Sequence, residues 1–182
     1  MKLKGLIKRR GGAKSGATAL EFALLAPIFF VIMFAIIEAG AVYIGESWLQ
    51  FATNDVGRQV RTGEVQLANT SKAAFRTMVC NRITPYLPCN TDLQVDVQAY
   101  SDFTTASLQQ PISGGVLNTA LNNYNPGTPC QVVIVRNFYK WTLQTPFFTS
   151  FLVNLGTNQR LISAAFAVRN EPYTSTVSGC DS

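Results

Sequence analysis

An apolar stretch long enough to cross a membrane lies near the N-terminus. Sixteen uncharged and mostly apolar residues separate Glu21 from Glu38, and the next charged residue is Glu46. A helix over residues 17–45 would extend for roughly 43 Å, which exceeds a hydrocarbon core of about 30 Å. The pattern therefore predicts a transmembrane segment at about residues 20–45.

The helical pattern continues beyond this stretch, but with apolar residues on one face only. Its apolar positions are Trp48, Phe51, Ala52, Val56 and Val60. Thr62-Gly63 offers a stop, so one long helix is predicted over residues 17–62. A short second helix is expected at residues 72–83, because Asn69-Thr70-Ser71 supplies cap residues just before it.

Three later segments have the alternation or composition of β-strands. They are residues 93–99, 131–143 and 159–173. A polar region at about 101–127 is expected to form a long loop around a short helical turn, and residues 146–155 an apolar helix. This order of elements predicts an α+β head, residues 63–182, whose small antiparallel sheet packs on the second half of the long helix.

The charged residues are distributed unevenly along the chain. The 182 residues include 15 Lys and Arg against 10 Asp and Glu, but six of the basic residues lie in the first 16 positions. From Ala17 onward nine bases face ten acids, so no basic stripe is available for nucleic-acid phosphates. Basic residues before an apolar helix keep the N-terminus in the cytoplasm, which places everything after residue 45 outside it.

The chain contains no histidine, and this excludes several classes of enzyme. Ser-His-Asp triads, Cys-His pairs and most zinc sites require an imidazole. Asp92, Asp96 and Asp102 lie close in sequence, but no loop spaces them as calcium ligands. Asp92 and Asp96 are expected on the solvated face of a strand. We therefore expect no enzyme, no cofactor and no metal site.

The four cysteines are Cys80, Cys89, Cys130 and Cys180. Their even number and the absence of C-x-x-C spacing favour two disulfides in an oxidising compartment over a four-thiolate metal site. Four cysteines allow three pairings, and sequence alone does not choose among them. We favour Cys80–Cys89, which flank a small loop, together with Cys130–Cys180, which would tie the C-terminal tail to the sheet.

Two interpretations of the apolar stretch follow from its residues alone. It is either a permanent single-pass anchor for a periplasmic interaction domain, or a secretory signal cleaved at Ala39-Gly40-Ala41, as in a secreted hydrolase. The stretch is longer than a usual signal h-region of about 7–15 residues and carries Glu21 inside it. Glu38, about 32 Å along the helix from Ala17, can reach the far interface without help. Only the presence of Glu21 requires an explanation, because a carboxylate inside a membrane costs free energy and usually has a function.

The residues around Glu21 form a specific pattern. In Lys14-Ser15-Gly16-Ala17-Thr18-Ala19-Leu20-Glu21-Phe22, a basic leader and a glycine precede four small or apolar residues, a glutamate and an aromatic residue. This arrangement resembles the prepilin peptidase site of type IV pilins. The sequence GATALEFALLAP is similar to the corresponding sequence of the TadE-like minor pilins of the tight-adherence (Tad/Flp) pilus system. Ala167-Val168-Arg169-Asn170-Glu171-Pro172-Tyr173 also resembles the usual ending of that family.

The resemblance implies a pilin-like minor pilin or pseudopilin, needed to assemble a pilus used in adhesion and biofilm formation. Residues 1–16 would be a leader removed after Gly16, Ala17 the new N-terminus, and Glu21 and Phe22 the rest of the processing site. The implied partners are the prepilin peptidase, the major pilin, other minor pilins and the inner-membrane assembly platform with its ATPase. The implied location is the bacterial inner membrane, with the C-terminal domain periplasmic, and afterwards the pilus or the extracellular space.

The residues also suggest what such processing achieves. Cleavage frees an α-amino group on Ala17, and Glu21 lies four residues later on the same helical face. Buried charges persist when they are paired. The amine of one subunit and Glu21 of a neighbour can therefore neutralise each other as helices stack. The alternative is that Glu21 is only a helix-start acid favoured by the helix dipole, and that Gly16 merely ends a flexible tail.

Overall fold

The computed structural model describes residues 14–84, 86–89, 91–145, 149–156, 158–174 and 179–180. Most of the predicted leader, residues 1–13, lies outside these residues, as does part of the apolar helix expected at 146–155. The elements are, in chain order, α1 (Lys14–Arg61), α2 (Glu64–Leu67), α3 (Lys72–Ile83), β1 (Leu93–Tyr100), β2 (Ile112–Ser113), β3 (Val116–Leu117), β4 (Val132–Thr142), α4 (Thr149–Leu152) and β5 (Gln159–Arg169).

Strands β1, β4 and β5 form one antiparallel sheet with β4 in the centre. Val135 of β4 lies opposite Val97 of β1 and Phe166 of β5. The second half of α1 packs across this sheet, mainly against β5, while α3 packs on the same part of α1. The α+β architecture predicted from the order of elements is therefore confirmed.

Helix α1 is a single element of 48 residues, which corresponds to a length of about 72 Å. It continues through Pro27, although a proline removes one backbone hydrogen bond. The helix ends at Arg61, and Gly63 follows with a φ of +81°, the left-handed conformation that commonly ends helices. The ring of Tyr173 covers Gly63 so closely that a methyl group built there would lie 2.1 Å from it.

The hydrophobic core lies between α1 and the sheet. Leu49, Val56 and Val60 of α1 are fully buried in it. Gly57 lets the two elements approach closely, because a methyl group built on it would lie 2.3 Å from the ring of Phe166 in β5. The absence of a side chain at this helix position therefore determines how near β5 lies to the helix.

Two predicted elements differ from the structure in the second half of the chain. Residues 101–127 contain the small hairpin of β2 and β3 instead of a helical turn. In the described part of 146–155, only the single turn α4 is helical, and Leu155 forms a β-bridge with Gln159. Apolar composition alone does not distinguish a short buried helix from an irregular segment.

The third predicted strand is shorter than expected, because β5 ends at Arg169. The backbone N–H of Asn170 donates to the carbonyl of Gln131, and its side-chain amide donates to Pro126 and Thr128. The following residue, Glu171, donates its backbone N–H to the carbonyl of Arg61 at 2.9 Å. These bonds turn the chain away from the sheet and across the end of α1.

The expectation of a solvated face on β1 is wrong at Asp96. Residues from the region 101–127 cover this face, and the Asp96 side chain is fully buried. It forms an ion pair with Arg136, with an N to O distance of 2.6 Å. It also accepts hydrogen bonds from the backbone and side-chain N–H groups of Asn123 and from the Gln98 amide. Burial raises the pKa of Asp96, but these hydrogen bonds outweigh burial and hold the pKa below its usual value.

Candidate membrane and processing site

The first half of α1 extends away from the head as an apolar rod. Among its described side chains Ala35 is the first that is buried. The most apolar 18-residue window of the helix has a mean hydropathy of 2.6 and is only 6% buried. Helices of soluble proteins bury such a surface, so an exposed one of this length indicates a membrane-spanning segment. The helix is long and apolar enough for a single-pass membrane protein.

The four residues predicted to form the processing site lie together in the first turns of this rod. Gly16, Ala17, Glu21 and Phe22 are all helical and exposed. Ala17 and Glu21 are one turn apart on the same helical face, as the spacing of four predicts. No ion pair among the described side chains involves Glu21. Its carboxylate is therefore placed on an open, apolar surface.

Gly16 has no structural role in the described part of the fold. A methyl group built on it meets nothing within 4 Å. This differs from Gly57 and Gly63, where packing against an aromatic ring leaves no room for a side chain. A requirement for glycine at position 16 would therefore come from outside the folded chain.

Glu38 has a role that the sequence interpretation missed. It was expected to reach the far interface without help, but its carboxylate accepts hydrogen bonds from the backbone N–H groups of Gln144 and Thr145, the latter at 3.0 Å. These two residues follow β4, so Glu38 fastens the near edge of the head to the helix. Its distance along the helix from Ala17 suggested only a charge at the interface. No local pattern marks the partner, because it is more than 100 residues away.

Above Glu38 the helix enters the head through aromatic contacts. A methyl group built on Gly45 would lie 3.0 Å from the ring of Trp141 at the end of β4. Trp48 stacks on Tyr86 with a centroid distance of 4.3 Å and meets Phe51 edge to face. The junction between the apolar rod and the head is therefore packed along the helix from Glu38 to Phe51.

The four cysteines are paired in the structure as Cys80–Cys89 and Cys130–Cys180. The Cα atoms are 5.4 Å and 5.2 Å apart, within the usual range for disulfides. The first bond closes the loop after α3, and the second ties residues 179–180 to the start of β4.

Nothing in the described residues forms a recognisable catalytic or metal site. No group of three or more Cys, Asp or Glu side chains there could hold a metal ion. Asp96 forms an ion pair with Arg136. Asp102 accepts hydrogen bonds from the backbone N–H groups of Thr104 and Thr105 within its own loop. Asp92 faces Lys140 at 3.8 Å. The three aspartates that are close in sequence therefore do not converge.

Comparison with known proteins finds a similarity within helix α1. Neither the curated proteins nor the solved structures contain a significant match to the chain. A protein family model does match, over residues 16–58, which run from the predicted processing site through the apolar rod into the head. The resemblance inferred from the residues around Gly16 and Glu21 is therefore confirmed for α1, which matches the family described as TadE-like protein.

Proposed function

We propose that this chain is a minor pilin or pseudopilin of a Tad/Flp-type adhesive pilus, matured by a prepilin peptidase that cuts after Gly16. The match to the TadE-like family points to a protein associated with a Tad pilus, and to a structural rather than a catalytic role. The observation that carries the proposal is the position of Gly16 to Phe22, exposed at the start of an apolar rod.

The peptidase would act on a site that the head does not cover. Gly16 is in open space, and a glycine lets an enzyme bring its catalytic groups close to the backbone. Six basic residues in the first 16 favour a cytoplasmic N-terminus, which leaves the head on the periplasmic side. Two disulfides in the head fit an oxidising compartment.

Glu21 would then act in assembly. After cleavage, the new amine of Ala17 on one subunit pairs with Glu21 of a neighbour, such as the major pilin or another minor pilin. An unpaired carboxylate in the apolar span costs up to about 2.5–3.5 kcal/mol, and the pair removes this cost. The inner-membrane assembly platform would then build such a subunit into the pilus.

The decisive test is the mass of the mature N-terminus, measured for wild type and for Gly16→Val. Wild type should begin at Ala17, whereas Gly16→Val should keep its leader, because a branched side chain obstructs the peptidase. Gly40→Val is the matched control, since Gly40 also has open space around it and lies in the same helix. Normal maturation of Gly16→Val would remove the main argument for the site.

Glu21→Ala separates a pilin from a permanent anchor. An anchor should insert equally well or better without this charge. A pilin variant should still be cut after Gly16 but should fail to co-purify with the other pilins, because an unpaired buried amine costs about 3–5 kcal/mol. Glu46→Ala, which removes an exposed charge beyond the apolar stretch, is the control. If Glu21→Ala matures and assembles like wild type, the pairing mechanism is wrong.

A second candidate function is a permanently anchored inner-membrane protein with a periplasmic interaction domain. The exposed apolar half of α1 supports it, because such a segment spans a membrane whether or not a leader is removed. This candidate predicts an intact N-terminus at Met1 in the same mass measurement.

A further inference from the structure

A groove lies where the head overhangs the apolar rod. Its volume is about 630 Å³, in the size range of ligand sites, about 300–1,000 Å³. One wall is the face of α1 from Pro27 to Ala41, with Phe30 and Phe34. The other wall is the end of β4 and the residues after it, from Trp141 to Thr145. The groove is thus apolar beside Phe30 and Phe34 and partly polar beside Thr142 and Gln144.

The height of the groove along the helix indicates its surroundings. If the hydrocarbon core begins near Ala17, about 30 Å of helix brings its far boundary close to Ile37 and Glu38. The helix wall of the groove then lies in the outer half of the bilayer. Trp141, beside Gly45, lies at the level of the lipid headgroups, where tryptophan is preferred.

We propose that this groove binds one acyl chain of a phospholipid from the outer leaflet, with the lipid headgroup at Thr142, Gln144 and Thr145. The inference rests on the membrane insertion included in the proposed function. The lining matches the ligand in order: apolar and aromatic side chains at the depth of the tails, hydroxyl and amide groups at the depth of the headgroups. Water is an unfavourable occupant, because most of the groove offers it no hydrogen-bond partner.

The charge of the lining selects the headgroup. Glu38 is the one charged residue among the described residues that line the groove. A carboxylate without a nearby base repels an anionic headgroup and favours a zwitterionic one that carries an ammonium group. The proposal therefore commits to a zwitterionic aminophospholipid over an anionic lipid.

The two tryptophans of the chain provide a depth measurement. The full-length protein is placed in nanodiscs made with zwitterionic phospholipid, brominated in the acyl chain near the headgroup, which quenches nearby indoles. Trp48→Phe leaves only Trp141, which should be quenched. Trp141→Phe leaves only Trp48, which lies three helix residues beyond Gly45 and stacks on Tyr86 in the head, so it should be quenched less than Trp141. Equal quenching of the two, or an unquenched Trp141, would overturn the proposed height.

Lipid retention tests the groove itself. Ala41→Phe places a ring in the groove, whereas Gly40→Phe places the same ring one residue away in open space. After purification in mild detergent, wild type and Gly40→Phe should retain about one more phospholipid per chain than Ala41→Phe, as expected for one site. Retention should be weaker when the anionic lipid replaces the zwitterionic one.

The outcomes separate this inference from the proposed function. Equal lipid retention in all three proteins, with wild type beginning at Ala17, overturns the lipid site alone. A chain that does not remain in the membrane overturns both. If Ala41→Phe dissociates a dimer and leaves the retained lipid unchanged, the groove holds the helix of a second copy and the lipid assignment is wrong.

Discussion

The buried ion pair between Asp96 and Arg136 gives the sharpest test of the head. The Asp96 carboxylate is inaccessible to solvent and the Arg136 side chain is 8% exposed. Asp96 accepts bonds from three residues, while Arg136 also donates to the carbonyl of Gln109 at 3.0 Å. Through Asn123 and Gln109, this pair fastens the region 101–127 to the sheet.

Removing one partner of such a pair leaves the other charge buried and uncompensated. We expect Asp96→Ala to lower the free energy of unfolding of the head by about 3–5 kcal/mol. For a chain of this size each 1 kcal/mol corresponds to about 2–4 °C, so the midpoint of thermal unfolding should fall by about 6–20 °C. Asp96→Asn keeps the shape and should cost about 1.5–3 kcal/mol, the value of hydrogen bonds to a charged group.

The effect should depend on pH in a defined direction. The pKa of Asp96 is lower in the folded protein than in the unfolded chain, where it is about 3.9. The stabilisation by Asp96 is therefore fully present above about pH 5 and is lost as the pH falls through the folded pKa. The difference in stability between wild type and Asp96→Asn should stay constant above that pH and narrow in stronger acid.

The assay is thermal unfolding in detergent, followed by near-UV circular dichroism between pH 3 and 8. Asp102→Asn is the control, because Asp102 is only half-buried and accepts hydrogen bonds from Thr104 and Thr105 within its own loop. A loss below about 1 kcal/mol for Asp96→Ala, or an equal loss for Asp102→Asn, would refute the assignment of a buried, paired charge.

Two further predictions concern packing and covalent structure. Gly57→Ala should destabilise the head by about 1–3 kcal/mol, because the added methyl group collides with Phe166. Gly40→Ala, which has open space, should not, and equal melting temperatures of the two variants would contradict the packing argument. Non-reducing peptide mapping should show Cys80–Cys89 and Cys130–Cys180 with no alkylatable thiols, and reduction should cost about 2–4 kcal/mol. Four reactive thiols in protein taken from the periplasmic face would contradict the prediction of two disulfides.

Elements with a strong local pattern were predictable from the sequence. The end of α1 was predicted within one residue, because Gly63 follows a clear apolar periodicity. The short helix α3 begins after Ser71, whose hydroxyl accepts a hydrogen bond from the N–H of Ala74 as an N-cap. The strands β1 and β4 were found because alternation and β-branched runs are local signals.

Features that depend on distant partners were not predictable. Asp96 has the alternation of a solvated position, and only the folding of residues 101–127 over β1 makes it a core charge. Glu38 likewise has the spacing of an interfacial acid, and its bonds to Gln144 and Thr145 depend on where β4 ends. In the candidate site, the positions of Gly16 and Glu21 could be predicted from the spacing along one helix. The groove could not be predicted, because one of its walls is formed by the end of β4 and the residues after it.

The packing of α1 on β5 has a consequence for biogenesis. The first described helix finds its main partner in β5, the last described strand, and Glu171 and Tyr173 close the end of the helix at Arg61 and Gly63. Contacts between such distant parts of a sequence form late, since a long loop must close first. Until residues 159–173 have been synthesised, Leu49 and Val56 have no complete core to enter. The nascent protein must therefore pass through a state in which this apolar helix face is unprotected and prone to aggregation.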